Sequence, residues 1–363
     1  MVRSVPLALI APILVSLAGC GEVRDVEIGR SAVGARLSAR LDRGTPTSVW
    51  TQRHPDGRVE WTGAFEDGRK QGEWRSFRSD GVPLTTSHWK ADREHGTWTE
   101  YHPNGARAVE GEYVDGLREG EWHAWRTDGG ESAVVHYVAG KLHGAVRELA
   151  PDGVVLLAGE YVADVAQGAW TSSYASGTPR QATRYVDGLL DGPTEQWYES
   201  GALQARGSYR RGERDGDWTE FHRNGERRLA QTWKDGKLDG PATEYHDDGS
   251  LAAQGEWRDG RRSGLWRTWR AGGALDSEAS YVDGELHGAC TRYFADGSSW
   301  WSAQYVKGKR TGAFEQRWES GAARAKGAYV NGLREGRWTY HTIEGALDAA
   351  KSGVYRHDVR VGE

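Results

Sequence analysis

The 363-residue chain has little of what most soluble domains use to build one compact core. It contains one methionine, five phenylalanines and two cysteines, and only 37% of its residues are hydrophobic. Two cysteines cannot supply the disulfide framework of a stapled secreted domain. Lysine and arginine number 47 against 52 acids, and the two signs are mixed along the chain. Because no basic stripe forms, a nucleic-acid groove has little support.

The motifs of common catalytic and metal sites are also missing. We find no Gly-x-Ser-x-Gly elbow, His-Glu-x-x-His motif, P-loop or Gly-x-Gly-x-x-Gly loop. Several of the twelve histidines share a repeat position, as His222 and His246 do. Equivalent positions in adjacent hairpins lie ~9–10 Å apart, too far for two ligands of one metal ion. We therefore expect no enzyme activity, no metal and no cofactor.

The longest apolar run stands at the start of the chain. Arg3 precedes it, Pro6 to Leu17 are almost wholly apolar, and Leu17-Ala18-Gly19-Cys20 follows. This order is typical of a signal peptide, and the run is too short for a spanning helix of roughly 20 residues. The final four residues resemble the lipobox of bacterial lipoproteins, which implies cleavage after residue 19 and a lipid on Cys20. An ordinary signal peptide with a chance cysteine is the alternative.

Glycine is abundant, and its spacing organises the rest of the chain. A glycine recurs every 24 residues without an insertion. We call each of these the anchor glycine of its repeat: Gly72, Gly96, Gly120, Gly144, Gly168, Gly192, Gly216, Gly240, Gly264, Gly288, Gly312 and Gly336. A fixed period of this length is the signature of a repeat architecture.

Each repeat predicts a β-hairpin. An aromatic residue stands seven positions before every anchor glycine, and small or apolar residues stand two and four positions earlier, as in Val109-x-Gly111-x-Tyr113. Alternation at period two indicates a strand with one buried face. An Asp-Gly or Asn-Gly turn follows in most repeats, and Asp92 or Asp164 replaces the glycine in two. These residue types tolerate the positive φ angles of a tight hairpin.

A second strand follows the anchor glycine and carries further aromatics. Trp98 and Tyr101 are three residues apart, so either both faces carry aromatics or a bulge intervenes. A single hairpin is too small to be stable, so the repeats must stack. At ~4.8 Å per strand, 13 repeats predict a ribbon roughly 125 Å long. The predicted fold class is all-β: an elongated open sheet of stacked antiparallel hairpins.

The domain organisation follows from these segments. We predict a signal peptide over residues 1–19, a lipidated cysteine and tether over 20–40, and the repeat array over 41–363, with degenerate ends. Within the array a 48-residue alternation appears. The position two before the aromatic and the position two after the anchor alternate between large and small residues, as in Trp122, Val146 and Trp170. We expect the bulky indoles to fill space left by smaller neighbours.

The pattern Asp-Gly-x-x-x-Gly-x-Trp-x-x-Tyr-x-x-x-Gly resembles the MORN repeat, in the variant form of YwqK-like antitoxin-family proteins. The resemblance covers Leu41 to Gly345 and a final fragment. It implies a non-catalytic binding or scaffold surface. Together with the lipobox it implies a membrane-anchored lipoprotein of the bacterial cell envelope, expected at the outer membrane, whose partner is a protein or an envelope glycan. The alternatives are a glycan- or peptidoglycan-binding protein and an antitoxin or immunity protein.

One group of aromatics falls outside the repeat pattern and is the candidate binding patch: Phe294, Trp300 and Trp318. Phe294 and Trp318 occupy a position that is polar in many repeats, and alternation places Trp300 on a polar face. Exposed apolar patches tend to mark contact sites. A terminal cap or lipid could instead cover them, or a bulge could turn Trp300 inward. Cys290, in a position that tryptophan holds elsewhere, is expected to be a buried filler and no nucleophile.

Overall fold

The computed structural model describes residues 36–40 and 48–363. Cys20, the predicted signal peptide and most of the predicted tether lie outside the described residues. The chain divides into two compact units, Met1–Lys141 and Leu142–Glu363. Within the described residues there is no helix long and apolar enough to cross a bilayer.

The described structure consists of β-strands joined by turns. Strands of the first unit are β1 (Arg36–Arg40), β2 (Ser48–Arg53), β3 (Val59–Glu66), β4 (Arg69–Phe77), β5 (Pro83–Lys90), β6 (Arg93–Tyr101), β7 (Arg107–Val114), β8 (Leu117–Trp125) and β9 (Glu131–Val138). Next come β10 (Lys141–Leu149), β11 (Val155–Val162), β12 (Val165–Ser173), β13 (Pro179–Val186), β14 (Leu189–Leu190), β15 (Gly192–Trp197), β16 (Leu203–Arg210), β17 (Glu213–Arg214), β18 (Gly216–Phe221), β19 (Arg227–Lys234) and β20 (Lys237–Tyr245). The last are β21 (Leu251–Arg258), β22 (Arg261–Trp269), β23 (Leu275–Val282), β24 (Glu285–Tyr293), β25 (Ser299–Val306), β26 (Lys309–Arg317), β27 (Ala323–Val330), β28 (Leu333–Tyr340), β29 (Gly353–Arg356) and β30 (Val359–Gly362).

Within each unit the strands form an antiparallel meander. In the first unit β7 pairs with β6 on one side and with β8 on the other. In the second unit β21 pairs with β20 and β22 in the same way. A two-residue turn and a longer turn alternate along the chain, which gives one hairpin per 24 residues. The predicted fold class, all-β with stacked antiparallel hairpins, is confirmed.

The tight turns have the predicted backbone. Asp115 and Gly116 have φ angles of 49° and 85° between the paired residues Val114 and Leu117. Positive φ at both central residues defines the type I′ turn, whose twist matches that of the strands. Where the glycine is replaced, Asp92 (φ 68°) and Asp164 (φ 71°) adopt the same conformation, as expected.

Each turn also binds the hairpin before it. The amide of Gly116 donates to the carbonyl of Glu94 at 2.8 Å, and the amide of Gly260 donates to that of Leu238 at the same distance. In Leu142–Glu363 the bond recurs in every repeat up to the amide of Asp358, which donates to Arg334 at 3.1 Å. Stacking therefore uses the turns as well as the strands.

The anchor glycine lies in a β-bulge. Glu110 pairs with His123 and Glu112 pairs with Glu119, so the segment Gly120-Glu121-Trp122 faces the single residue Gly111. Gly120 has a φ of 68°, which explains why glycine recurs at this position. Anchor φ angles also alternate, with 66–77° in one set of repeats and 101–124° in the other. The 48-residue period therefore exists in the backbone too.

The bulge turns a tryptophan onto a glycine. Trp122 is 2% exposed, and a Cβ placed on Gly111 would lie 2.2 Å from its Cδ2. The same pairing, eleven residues apart, holds for Gly63, Gly159, Gly207, Gly255 and Gly327 with Trp74, Trp170, Trp218, Trp266 and Trp338. The 48-residue alternation of large and small residues therefore arises within one hairpin and not between neighbouring hairpins. The indole fills the volume of a missing side chain within its own hairpin.

The contacts of Trp98 and Tyr101 show which face of the sheet each side chain occupies. Trp98 packs against Tyr113 with ring centroids 5.5 Å apart, on the face that carries the buried indoles. The Tyr101 hydroxyl lies 3.4 Å from that of Thr86, on the opposite face. Both faces of the sheet therefore carry aromatics.

The structure extends the strands into the predicted tether. β1 pairs antiparallel with β2, with Ala39 opposite Trp50, so residues 36–40, the end of the predicted tether, form a strand. Pairing satisfies the backbone groups of β2 that an edge strand would leave open.

At the other end, two extra residues are absorbed between β28 and β29. Gly336 pairs with Tyr355, so the aromatic recovers its place opposite an anchor glycine. The degenerate last repeat is thus a complete hairpin that closes with a positive-φ turn at His357 and Asp358.

Candidate binding face

The sheet face that holds the buried indoles is called the aromatic face. Around each indole stand the aromatics seven residues before the anchor glycines, most of them half-buried. Tyr113 lies edge-on to Trp122 with centroids 5.1 Å apart, and Tyr209 lies edge-on to Trp218 at 5.2 Å. Edge-to-face packing suits the charge distribution of aromatic rings.

Arginine covers these rings in many repeats, always from the position two before the anchor glycine. The guanidinium carbon of Arg118 lies 4.3 Å from the centroid of Trp122. That of Arg214 lies 4.1 Å from Trp218, and that of Arg262 lies 4.4 Å from Trp266. These distances are typical of cation–π contacts. Trp122, Trp218 and Trp266 are therefore held between a glycine backbone on one side and a guanidinium on the other.

In the second unit a depression of about 290 Å³ opens beside Arg310. Its lining includes Trp300, Trp301, Arg310, Phe314, Tyr329 and Trp338. Arg310 donates from Nε to the Tyr305 hydroxyl at 3.0 Å and from Nη1 to that of Tyr329 at 3.4 Å. The hydrogen bond to Tyr305 is the largest influence on Arg310 and raises its pKa further, so the group is always cationic.

Trp300 lies at the rim of this depression because of a bulge. Arg292 pairs with Trp301 and Tyr293 pairs with Ser299, which leaves Trp300 unpaired between them. Trp300 and Trp301 consequently line the same depression, although simple alternation predicts opposite faces. The Phe294 ring lies 6.0 Å from that of Trp300. Two members of the predicted patch are thus brought together, and both are half-buried.

Trp318 has a structural role that the sequence analysis missed. Its Nε1–H donates to the His341 carbonyl at 3.3 Å. The equivalent side chain reaches the carbonyl 23 residues ahead in other repeats: Arg78 at 3.0 Å, His102 at 2.8 Å, Tyr174 at 2.8 Å, Tyr198 at 2.9 Å, His222 at 3.1 Å, His246 at 3.0 Å and Arg270 at 2.7 Å. We call this series the side-chain ladder. All of these residue types carry an N–H or O–H, which is the signal that could have identified the position.

Charged side chains on both faces of the sheet are compensated by neighbours, and Asp276 holds the unpaired bulge position that Trp300 holds one repeat later. Asp276 receives hydrogen bonds from Arg270 at 2.8 Å and from Arg292 at 3.0 Å. Burial raises the pKa of Asp276, but the two arginine hydrogen bonds outweigh it and the net pKa is lowered. The Arg267 and Tyr293 hydrogen bonds likewise lower the pKa of Glu278. These networks cross-link neighbouring strands.

The one cysteine of the described residues, Cys290, lies buried in the sheet. Cys290 is 7% exposed, and burial raises the pKa of its thiol, which favours the unreactive protonated form. Its place beside Ala279 and Ala303 matches the filler role expected for it. Among the described residues, no group of three or more His, Cys, Asp or Glu side chains could hold a metal ion.

Comparison with protein families identifies the repeat. Residues 94–115, 190–211 and 238–259 match the model described as MORN repeat variant, and residues 110–121, 254–265 and 278–299 match the model described as MORN repeat. The matched segments are therefore similar to MORN-type repeats, as the sequence pattern predicts, and such repeats indicate a binding or scaffold role. No curated protein matches the chain.

Two solved structures show partial similarity to the chain. One is a Tc holotoxin pore of Photorhabdus luminescens, 10% identical over 86% of this chain and 19% of that chain, with a TM-score of 0.16. Another is a TcdB2-TccC3-Cdc42 complex, 13% identical over 86% of this chain and 21% of that chain, with a TM-score of 0.12. This chain thus spans about a fifth of those chains. At these TM-scores the likeness does not define a shared fold.

Proposed function

We propose that the protein is a non-catalytic repeat lipoprotein that binds a partner protein at its aromatic face. The observation that carries the proposal is the depression beside Arg310, where half-buried aromatic rings surround a cation on an open sheet. Aromatic residues and arginine are the side chains most enriched where proteins bind one another tightly. On the opposite face, the Arg267 guanidinium and the Glu278 carboxylate pair with each other at 2.7 Å.

The covered indoles favour a protein partner over a glycan. A sugar ring stacks on an open aromatic face, but Trp218 and Trp266 have Gly207 and Gly255 against one face and arginine over the other. Trp318 is likewise covered by Arg324, whose guanidinium carbon lies 4.3 Å from the ring centroid. Sugar stacking along the array would therefore require these contacts to open.

Variants of the candidate patch test the proposal, provided that the hydrogen bond of Trp318 in the side-chain ladder is kept. Phe294→Ser with Trp300→Ser should weaken association with the partner captured from cell envelopes. Because both rings are half-buried, the double variant should lose less melting temperature than the removal of two fully buried aromatics would cause. Trp318→His keeps a ladder donor, as His102 and His222 do in the same position. It separates the patch role of the Trp318 ring from its structural role.

The matched control is Phe221→Ser, which removes a half-buried aromatic from the opposite face. Association that is unchanged in the double variant, or that falls equally in the control, would remove the aromatic face from the function. A large loss of melting temperature with unchanged association would show that Phe294 and Trp300 belong to the core.

Anchoring is the second part of the proposal and rests on the Leu17-Ala18-Gly19-Cys20 motif. A single acyl chain gives marginal membrane binding, so stable attachment needs more than one chain. We expect the mature protein to begin at an acylated Cys20 and to lie in the cell envelope, at the outer membrane. Mass spectrometry of the N-terminal peptide decides this, since an unmodified Cys20 or an intact leader contradicts it.

A further inference from the structure

Three arginines of the second unit form a regular series on the aromatic face. Arg214, Arg262 and Arg310 occupy equivalent positions 48 residues apart, and we call them the arginine row. Each guanidinium lies over a ring of its own hairpin, at 4.1 Å, 4.4 Å and 5.6 Å from the centroids of Trp218, Trp266 and Phe314. Four strands separate successive members, which corresponds to roughly 19 Å at the usual strand spacing.

The arginine row is not neutralised by the protein. Among the described residues none of its three members lies within ion-pair distance of a carboxylate, whereas Arg267 on the opposite face meets Glu278 at 2.7 Å. Arg262 donates to the Tyr281 hydroxyl at 3.4 Å, and Arg310 donates only to tyrosine hydroxyls. A half-buried guanidinium with only neutral partners retains its charge and spare N–H groups. A carboxylate is the ligand it binds best.

Leucine occupies the same position in the hairpins between the arginines. Between Ala166 and Arg334, which hold this position at the two ends of the alternation, the series reads Leu190, Arg214, Leu238, Arg262, Leu286 and Arg310. Arg334 differs from the arginine row because it pairs with Asp358 at 2.9 Å. Leu286 packs against the core cluster that contains Cys290. Positions that attract a carboxylate thus alternate with apolar ones, about 9.6 Å apart. A polyproline II chain advances ~3.1 Å per residue, so three of its residues cover nearly the same distance.

We propose that the arginine row binds an extended acidic segment of the partner protein, with a carboxylate at every sixth residue and an apolar side chain midway between carboxylates. The inference rests on the proposed function, because it specifies the chemistry of the partner at that face. The segment runs across the strands, and its carboxylates pair with Arg214, Arg262 and Arg310. Its apolar residues meet the leucines.

A synthetic peptide tests the period directly. The probe is a fluorescent thirteen-residue peptide with glutamate at the first, seventh and thirteenth positions, leucine at the fourth and tenth, and proline elsewhere. Its binding to the full chain is followed by fluorescence anisotropy. Replacing the glutamates by glutamine should weaken binding about tenfold or more, since hydrogen bonds between two charged groups are roughly twice as strong as neutral ones. Glutamates spaced at four residues should weaken it as well.

The protein side of the test uses a matched pair of variants. Arg262→Gln should weaken binding of the glutamate peptide about fivefold or more and leave the glutamine peptide unaffected. Arg267→Gln, on the opposite face, should change neither. Equal losses in the two variants, or equal affinity of the glutamate and glutamine peptides, would overturn the proposal.

The failure of this proposal and that of the proposed function are distinguishable. If both peptides bind equally and Trp300→Ser abolishes both, the aromatic face binds partners but not through carboxylates. If neither peptide binds, the periodic acidic partner is wrong, and capture by the Phe294 and Trp300 variants still decides whether the face binds anything.

Discussion

The seating of an indole on a glycine makes Gly111→Ala an informative substitution. The new Cβ would lie 2.2 Å from Cδ2 and 2.4 Å from Cε2 of Trp122, and contacts below 3.0 Å essentially never occur. The indole ring would have to move by about 1 Å to reach ordinary contact. Replacing glycine by alanine often stabilises a protein, but at Gly111 the replacement should destabilise it.

The ring has little room to move. Trp122 packs edge-on against Tyr113 at 5.1 Å and Tyr137 at 6.1 Å, and Arg118 lies over it at 4.3 Å. Overpacking a tight core costs about 1–3 kcal/mol, and a blocked ring places this site near the upper end. Alanine also restricts the unfolded chain, which offsets about 0.4–1 kcal/mol. We expect a net destabilisation of about 2 kcal/mol.

The chain itself supplies the control. In alternate hairpins the same two positions hold Val135 with Val146, or Ala279 with Cys290, so a side chain is accepted when its partner is small. Trp122→Val alone should cost about 3–5 kcal/mol. In that background, however, Gly111→Ala should be neutral or stabilising.

Thermal melting and hydrogen exchange of the β7 and β8 amides measure the four proteins of this cycle. The reasoning is refuted if Gly111→Ala destabilises equally in both backgrounds, or if it stabilises the protein that retains Trp122.

Three further outcomes are expected. His222→Ala should cost about 1–2 kcal/mol by leaving the Tyr245 carbonyl without its side-chain donor, whereas His222→Arg should cost little, and melting curves of the two variants check this. Asp276→Asn should lower the melting temperature at neutral pH. The folded pKa of Asp276 lies below its unfolded value of about 3.9, so the carboxylate stabilises the fold above that pH. This stabilisation is lost as the pH falls through the folded pKa, and the melting temperatures of the variant and the parent protein should therefore converge in acid. Tyr209→Ala should cost about 2 kcal/mol, less than the ~3–5 kcal/mol of a fully buried aromatic, and hydrogen exchange should loosen first around Trp218. Uniform loosening of the whole chain would argue for one global core.

The hairpins and their turns could be predicted because each depends on residues close in sequence. Alternation around Tyr113 and the Asp115-Gly116 pair suffice to specify two strands and a type I′ turn. The reason for the 48-residue alternation could not be predicted in the same way. It depends on the bulge at Gly120, which brings Trp122 against Gly111, and the periodicity of the sequence does not show which residues a bulge leaves unpaired.

The candidate site shows the same limit. Alternation places Trp300 on a polar face, but the unpaired position opposite Tyr293 brings it to the depression beside Trp301. By hydrophobicity alone, Trp318 is an apolar residue at a position that is polar in many repeats, because a hydrophobicity scale does not count its indole N–H as a donor. Judged by hydrogen-bond donors, it belongs with His222 in the side-chain ladder. Periodicity identifies faces well, but bulges and polar atoms of aromatic residues escape it.

The packing alternation and the surface chemistry of the aromatic face have one origin. In several repeats with a large ring two residues after the anchor, a flat guanidinium covers the outer surface of that ring, as Arg262 does for Trp266. Trp170, with Ala166 in the covering position, is an exception. Where that residue is small, as with Ala242 or Cys290, leucine stands in the covering position and supplies apolar volume. The pairs Leu142 with Val146, Leu190 with Thr194, Leu238 with Ala242 and Leu286 with Cys290 all follow this rule. From Leu190 to Phe314, the spacing of the arginine row by two hairpins therefore follows the alternation of large and small residues in the core. A partner that binds the arginine row must then share its two-hairpin period. The double variant Leu238→Arg with Arg262→Leu should therefore bind the glutamate peptide more weakly, even though the net charge of the protein is unchanged.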